Sequence, residues 1–135
     1  MADPDLDLAA LPGLESLSSD TLTQLTRSGR RVRIPAGWAP IHESEPADKA
    51  YLVLEGRFCV MSAGHEVASL GPGSLAGEMG LVDHRLRNAQ LTAIDPVEVL
   101  AWPKSDFQKL RQESTEFDRL VRETAQVRRE ANDQS

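Results

Sequence analysis

The sequence predicts a mainly β protein, a jelly-roll-like β roll with an N-terminal helix and two C-terminal helices. Three observations predict this fold class. Short segments in which apolar and polar residues alternate fill the chain from about residue 30 to 103, as half-buried strands do. Glycine and proline separate these segments, which is typical of turns. Apolar residues at helical spacing flank the region on both sides, as expected for helices that cover a β core.

The β roll is predicted from six segments. Each is bounded by turn residues such as those at 35–37, 45–48 and 71–73. The longest apolar segment is expected to break at Glu55 and Gly56, where glycine suits a tight turn or a bulge. The last two segments are interpreted as a hairpin that turns at Asp95 and Pro96. The predicted strands cover residues 30–34, 38–43, 49–61, 65–70, 91–94 and 97–102.

Helices are predicted at both ends of the roll. At the N-terminal end, residues 11–29 carry leucines at near-helical spacing, with Ser18 or Ser19 as a cap and Gly29 as the stop. After the roll, Ser105 can cap a helix that runs through Leu110. A last helix is expected from Thr115 to about residue 131. Its apolar stripe, which packs either on the roll or against a second copy of the chain, consists of Phe117, Leu120, Val121, Thr124 and Val127.

The length of 135 residues allows one domain with one core, predicted over residues 11–131. Residues 1–10 are acidic and expected to be loose, and residues 132–135 form a tail. The formal net charge of −6 argues against nucleic acid as the main partner, because a nucleic-acid surface needs clustered Lys and Arg.

A cytoplasmic location is expected from what the sequence lacks. No run of about 18 apolar residues occurs, so no membrane span is predicted, and the N-terminus does not have the pattern of a signal peptide. The single cysteine, Cys59, rules out a disulfide within the chain and suits a reducing compartment. Because it lies in an alternating apolar run, Cys59 is interpreted as a buried structural thiol.

The sequence contains no motif that indicates a catalytic site or a metal site. The histidines His42, His65 and His84 are far apart in sequence and include no His-x-His pair, so no metal site is expected. No Gly-x-Ser-x-Gly motif occurs, and Cys59 has no evident base partner. We therefore expect a binding module with no cofactor, not an enzyme.

The most informative segment runs from Leu75 to Ala93. A short helix that opens on Gly77 leaves backbone N–H groups free to attract an anion. The guanidinium of Arg87 offers a planar fork of donors that suits a phosphate. The carboxylate of Glu78 would repel a phosphate but can accept hydrogen bonds from sugar hydroxyls. An anionic group held next to hydroxyl groups describes a nucleotide.

The same segment resembles the phosphate-binding cassette of the cyclic-nucleotide-binding domains, the family of the catabolite activator protein and the protein kinase A regulatory subunit. That pattern is Gly-Glu, an apolar residue, a small residue, two apolar residues, a loop, then Arg, any residue and Ala. It stands here with its spacing intact, as Gly77, Glu78, Met79, Gly80, Leu81, Val82, a loop, Arg87, Asn88 and Ala89.

The resemblance implies a role for each position. Glu78 takes the ribose 2′-hydroxyl, and Arg87 takes the cyclic phosphate together with nearby backbone N–H groups. Ala89 contributes its N–H and its small size, and Asn88 stands where the family often has a small residue or a hydroxyl. The implied ligand is cyclic AMP in preference to cyclic GMP. The implied contact residues are Gly77, Glu78, Met79, Arg87, Asn88 and Ala89.

The resemblance also implies a regulatory function. Residues 117–135 have room for one helix but not for a DNA-binding motif, and no kinase or channel pore is expected. We therefore expect a stand-alone cyclic-nucleotide sensor that changes conformation and acts on a separate protein effector, with a possible homodimer through the last helix. The alternative is a structural or interaction domain of the same fold that no longer binds nucleotide.

Overall fold

The computed structural model describes residues 8–40, 49–62, 64–76 and 90–133. The described residues form seven strands and three α-helices, preceded by a 3-10 turn at Leu8–Ala10. The strands are β1 (Arg30–Ile34), β2 (Lys49–Glu55), β3 (Phe58–Ser62), β4 (His65–Leu70), β5 (Leu75–Ala76), β6 (Gln90–Ala93) and β7 (Val97–Pro103). The helices are α1 (Ser19–Ser28), α2 (Lys104–Glu113) and α3 (Thr115–Asp133). None of these helices is long and apolar enough to cross a membrane.

The strands form two antiparallel sheets. The first sheet has the order β1-β7-β2-β5, and the second has the order β4-β3-β6. Strands β5 and β6, which bound the segment that resembles a phosphate-binding cassette, are the last described strands of the two orders. On its side away from β3, Ala93 of β6 is hydrogen-bonded to the backbone of Gly37 and Trp38. The predicted fold class, a β roll with one N-terminal and two C-terminal helices, is confirmed.

The predicted hairpin of residues 91–94 and 97–102 is wrong. Strand β6 pairs with β3 in the second sheet, whereas β7 pairs with β1 and β2 in the first. The burial of the two strands explains the difference. Strand β7 is buried on both faces and takes a central position in the first sheet, while β6 buries alternate residues, as a strand with one face on a core does. The chain therefore changes sheets at Asp95 and Pro96.

Two apolar cores lie on opposite faces of the first sheet, because successive side chains of β2 and β7 point to opposite sides. On the helix side, Leu52, Leu100 and Trp102 pack with residues of all three helices. On the other side, Val53 and Val99 pack into the interior of the roll.

Three aromatic rings hold the C-terminal helices on the sheet. The rings of Trp102 and Phe117 have their centroids 6.2 Å apart, and Phe107 meets Phe117 edge-on at 5.6 Å. All three residues are fully buried, and such pairs add about 0.5–1.5 kcal/mol each beyond their burial. The indole N–H of Trp102 also donates to the hydroxyl of Ser28 at 3.0 Å, which connects β7 to the end of α1.

The N-terminal helix is shorter than predicted. It begins at Ser19 with Ser18 as its N-cap, whereas the preceding residues form successive turns, such as the bond from the Leu14 N–H to the Leu11 carbonyl. Gly13 has a φ of 86°, which interrupts a helix. Leu8, in the segment expected to be loose, lies in the 3-10 turn and is buried.

Three further predictions are wrong in part or extend beyond the described residues. Helix α2 begins at Lys104 with Pro103 as its N-cap and no side-chain cap bond, so Ser105 is not the cap. Residues 38–40 of the predicted strand 38–43 are not in a strand, and residues 41–43 lie outside the described residues. In the predicted stripe of α3, Phe117 and Val121 are buried, and Ala125, which was not predicted, is buried with them. The side chain at position 127 is outside the described part.

A polar network joins the start of α1 to the start of α3. The Oε1 atom of Glu116 accepts hydrogen bonds from the hydroxyls of Ser18 at 2.6 Å and Thr21 at 2.7 Å. The Ser18 backbone N–H also donates to this carboxylate, at 3.1 Å to Oε1. The hydroxyls of Thr21 and Ser114 are 3.2 Å apart. The bonds from Ser18 and Thr21 hold the pKa of the Glu116 carboxyl below its ordinary value.

We predict that Gly56→Ala destabilises the fold more than Gly64→Ala. Both glycines have a positive φ, 88° and 81°, so alanine is strained at each by about 1–2 kcal/mol. At Gly56 a Cβ would also lie 2.5 Å from the Pro96 carbonyl oxygen, whereas nothing lies within 4 Å at Gly64. We expect a total loss on the order of 2–4 kcal/mol for Gly56→Ala, measured by urea unfolding. Equal losses for the two variants would contradict the close approach at Gly56.

We also predict that Glu116 contributes stability that acid removes. Because its folded-state pKa is depressed, this contribution is present above the ordinary pKa of 4.5 and is lost as the pH falls through the lower, folded value. The difference in the free energy of unfolding between wild type and Glu116→Gln should therefore shrink as the pH falls below about 4.5. Denaturant unfolding from pH 7 to pH 3 measures this difference. Glu123→Gln, an exposed position on the same helix, is the control and should show no such trend.

Candidate functional site

The six residues predicted to contact a ligand lie in the segment 77–89, which is outside the described residues. Their roles therefore stay predictions. They are Gly77, Glu78, Met79, Arg87, Asn88 and Ala89. The structure describes the two strands that hold the ends of this segment, and the interior of the roll between them.

Strand β5 anchors the N-terminal end of the segment. Its residues Leu75 and Ala76 pair with Leu52 and Tyr51 of β2 and are buried on opposite faces of the first sheet. The turn before β5 is bonded to the same strand, since the Gly73 N–H donates to the Val53 carbonyl at 2.8 Å. The position from which the segment starts is therefore set by the central part of the first sheet.

Strand β6 anchors the C-terminal end. Leu91 and Ala93 point into the roll and are buried, while Gln90 and Thr92 lie on the other face, where their side chains share a hydrogen bond of 3.2 Å. Because β5 and β6 belong to different sheets, the segment 77–89 leads along the chain from the first sheet to the second.

The interior of the roll that faces these anchors is apolar. Its described residues include Val53, Phe58, Ala76 and Leu91, together with Tyr51 as a side chain with a polar end. The charged residues that the resemblance assigns to an anionic ligand, Glu78 and Arg87, belong to the segment 77–89.

The turn before β5 makes a close contact that the sequence does not reveal. Gly73 has a φ of 90°, and a Cβ at this position would collide with the carbonyl oxygen of Pro12. The N-terminal segment thus presses on the turn that leads into β5. The sequence predicts a turn at Gly73. Pro12, which Gly73 contacts, lies about 60 positions away in sequence, and no local pattern indicates such a contact.

Cys59 is half-buried rather than buried as predicted. Its neighbours Phe58 and Val60 take the inward face of β3, so the thiol lies on the other face and donates to the sulfur of Met61 at 3.4 Å. Partial burial and the hydrogen bond with Glu66 raise the pKa of the Cys59 thiol. A raised pKa disfavours the thiolate, the form that acts as a nucleophile or metal ligand.

Among residues 8–40, 49–62, 64–76 and 90–133, no three His, Cys, Asp or Glu side chains come together as a group that could hold a metal ion. Of the histidines considered from the sequence, His42 and His84 lie outside the described residues.

Comparison with known proteins places the chain in a family. A family model described as the cyclic nucleotide-binding domain matches residues 31–114, a range that includes β2, β5 and β6 and the segment 77–89. A cyclic nucleotide-gated potassium channel of Mesorhizobium japonicum is 35% identical over 124 residues, which cover 92% of this chain and 34% of the channel. The chain therefore spans about a third of the length of that relative.

Two solved structures have the same fold. The N-terminal domain of a transcriptional regulator from Streptomyces coelicolor A3(2) is 29% identical, has a TM-score of 0.71, and covers 95% of this chain and 96% of its own. The catabolite activator protein of Thermus thermophilus is 26% identical, has a TM-score of 0.72, and covers 88% of this chain and 59% of its own. The family model and these structures confirm the family that the sequence resembles. The chain belongs to the cyclic nucleotide-binding domain family.

Proposed function

We propose that this chain is a cyclic-nucleotide sensor that binds its ligand through the segment 77–89 and passes the binding event to a protein effector. One observation carries the proposal. The family match spans both anchoring strands and the segment between them, and within it the Gly-Glu and Arg-x-Ala positions of the phosphate-binding pattern are occupied at the family's spacing.

The proposed binding chemistry divides the ligand between two charges. Arg87 holds the cyclic phosphate through charge-assisted hydrogen bonds, supported by backbone N–H groups at Gly77, Met79, Asn88 and Ala89. Glu78 accepts a hydrogen bond from the ribose 2′-hydroxyl. The apolar interior of the roll strengthens each contact, because hydrogen bonds and attractions between opposite charges are stronger where the local dielectric constant is low.

The proposed output is a change in the position of the C-terminal helices. Helix α3 contacts the rest of the domain through a short apolar stripe that includes Phe117 and Val121, so its packing can respond to changes in the roll. A ligand shifts such an equilibrium only if it binds one arrangement better than the other. The relative of M. japonicum is a cyclic nucleotide-gated channel, and by analogy the effector here would be a separate domain or protein. Association of two copies through α3 is part of the same proposal.

We propose cyclic AMP as the preferred ligand, cyclic GMP as the competitor to be compared with it, and the cytoplasm as the place of action. The half-buried thiol of Cys59, with no second cysteine in the chain, is compatible with a reducing compartment. Calorimetric titration with both nucleotides measures the preference directly. A higher affinity for cyclic GMP would overturn the choice of ligand but not the site.

We predict that Arg87→Ala lowers the affinity for cyclic AMP by on the order of 2–5 kcal/mol, since it removes charge-assisted hydrogen bonds to the phosphate. That loss corresponds to a dissociation constant at least about 30 times higher. Arg85→Ala, two positions earlier in the sequence, is the matched control and should bind like wild type. Isothermal titration calorimetry of the three proteins measures the effect, with thermal melting as the test of folding.

Equal affinities in wild type and Arg87→Ala would contradict the proposed site. If no cyclic nucleotide binds wild type or raises its melting temperature at millimolar concentration, the domain is a structural or interaction module instead. A ligand at 100 times its dissociation constant should add about 2.7 kcal/mol to the free energy of unfolding, so a binding event would not escape this measurement.

A further inference from the structure

The helices α1 and α3 have their N-caps in one shared network. Ser18 caps α1 by accepting from the Thr21 N–H at 3.3 Å, and Ser114 caps α3 by accepting from the Phe117 N–H at 3.2 Å. The side chains of Thr21 and Ser114 are themselves in hydrogen-bond contact, and both residues are buried. The starts of two helices that are nearly 100 residues apart in sequence therefore form one structural unit.

Glu116 completes the cap of α1 from the other helix. In a capping box, a Glu or Gln at the third helical position bonds back to the N–H of its own N-cap residue. In α1 that third position is Thr21, whose side chain is too short to act in this way. The carboxylate of Glu116 takes its place and accepts from the Ser18 N–H at 3.1 Å and 3.2 Å. A negative charge at this point is also favourable for both helix dipoles, because it lies in the first turn of α3 and at the N-terminus of α1.

The same N-terminal segment contacts the turn that leads into β5. The backbone of Pro12 lies against Gly73, so closely that no side chain would fit between them. The short stretch from Pro12 to Ser18 thus contacts, at one end, the turn that leads into β5 and, at the other end, the first turn of α3. It connects the turn before β5 with the helix that is the proposed output.

We propose that Glu116 is a positioning residue that makes α1 and the first turn of α3 open and close as one unit, through which a rearrangement at β5 reaches α3. The capping role of Glu116 stands on the described contacts alone. Its part in regulation rests on the proposed function. Without Glu116, α1 and α3 would keep the contact between the Thr21 and Ser114 hydroxyls but lose the bonds from Ser18 and Thr21 to the carboxylate.

The capping role is tested without any nucleotide. Native-state hydrogen exchange is measured for the amides of Leu22, which donates to the Ser18 carbonyl, and Asp118, which donates to the Ser114 carbonyl. We expect Glu116→Ala to accelerate exchange at both amides by about tenfold or more, because opening of the network exposes both helix starts. Thr21→Val, which keeps the shape of the side chain but removes its hydroxyl, should act in the same direction. The double variant should show less than the sum of the two single effects, because the bond between the Thr21 hydroxyl and Glu116 is lost in both.

Two further variants separate this role from a general loss of stability. Glu116→Gln keeps one oxygen that can accept from the hydroxyls and should give intermediate exchange rates. Glu123→Ala, on the exposed side of α3, should leave both amides unchanged. Faster exchange at Asp118 with no change at Leu22 in Glu116→Ala would overturn the proposal, as would fully additive effects of Glu116→Ala and Thr21→Val.

The regulatory role is tested by adding saturating cyclic AMP. We expect the ligand to change the exchange of both Leu22 and Asp118 in wild type. In Glu116→Ala, which calorimetry should show still binds, we expect the ligand to change Leu22 but to change Asp118 much less. A response of Asp118 as large as in wild type, in a variant that binds, would refute the transmission through Glu116. Failure of wild type to bind any cyclic nucleotide would instead overturn the proposed function and the regulatory role with it, and the capping role would still be decided by the nucleotide-free experiment.

Discussion

The two-sided burial of the first sheet is the constraint on which the rest of the structure depends. Strands β2 and β7 occupy its two central positions, and their alternate side chains enter two separate cores. One core holds the helices through Trp102 and its aromatic neighbours, and the other forms the interior of the roll. A shift of one residue in the register of either strand would exchange these two sets of side chains. The pairing of β2 with β7 therefore positions both the helices and the interior of the roll.

The same constraint determines what the candidate site can be. With the central positions of the first sheet taken, β5 and β6 belong to different sheets, and the segment 77–89 leads from one to the other. The interior that Leu91 and Ala76 share is apolar. Arg87 and Glu78 are the residues that we propose to hold the ligand. The family match over residues 31–114 supports this proposal.

Local patterns predicted local structure well. Strands β1 and β4 have the predicted bounds, and the break at Gly56 lies where a turn was expected. The pairing of strands that are distant in sequence was harder to predict from these patterns. The separation of β6 and β7 into different sheets depends on how deeply each is buried, and the alternation in residues 91–102 does not show this. The Glu116 network is harder still, because Ser18 and Glu116 each look like ordinary first-turn residues until the fold brings them together.

The most direct test is a crystal structure of the chain with cyclic AMP. We predict the cyclic phosphate within hydrogen-bond distance of the Arg87 guanidinium and of backbone N–H groups of the segment 77–89, with the ribose 2′-hydroxyl on the Glu78 carboxylate. A ligand bound elsewhere on the domain, or a ligand in the roll while Arg87 points into solvent, would contradict the proposed site.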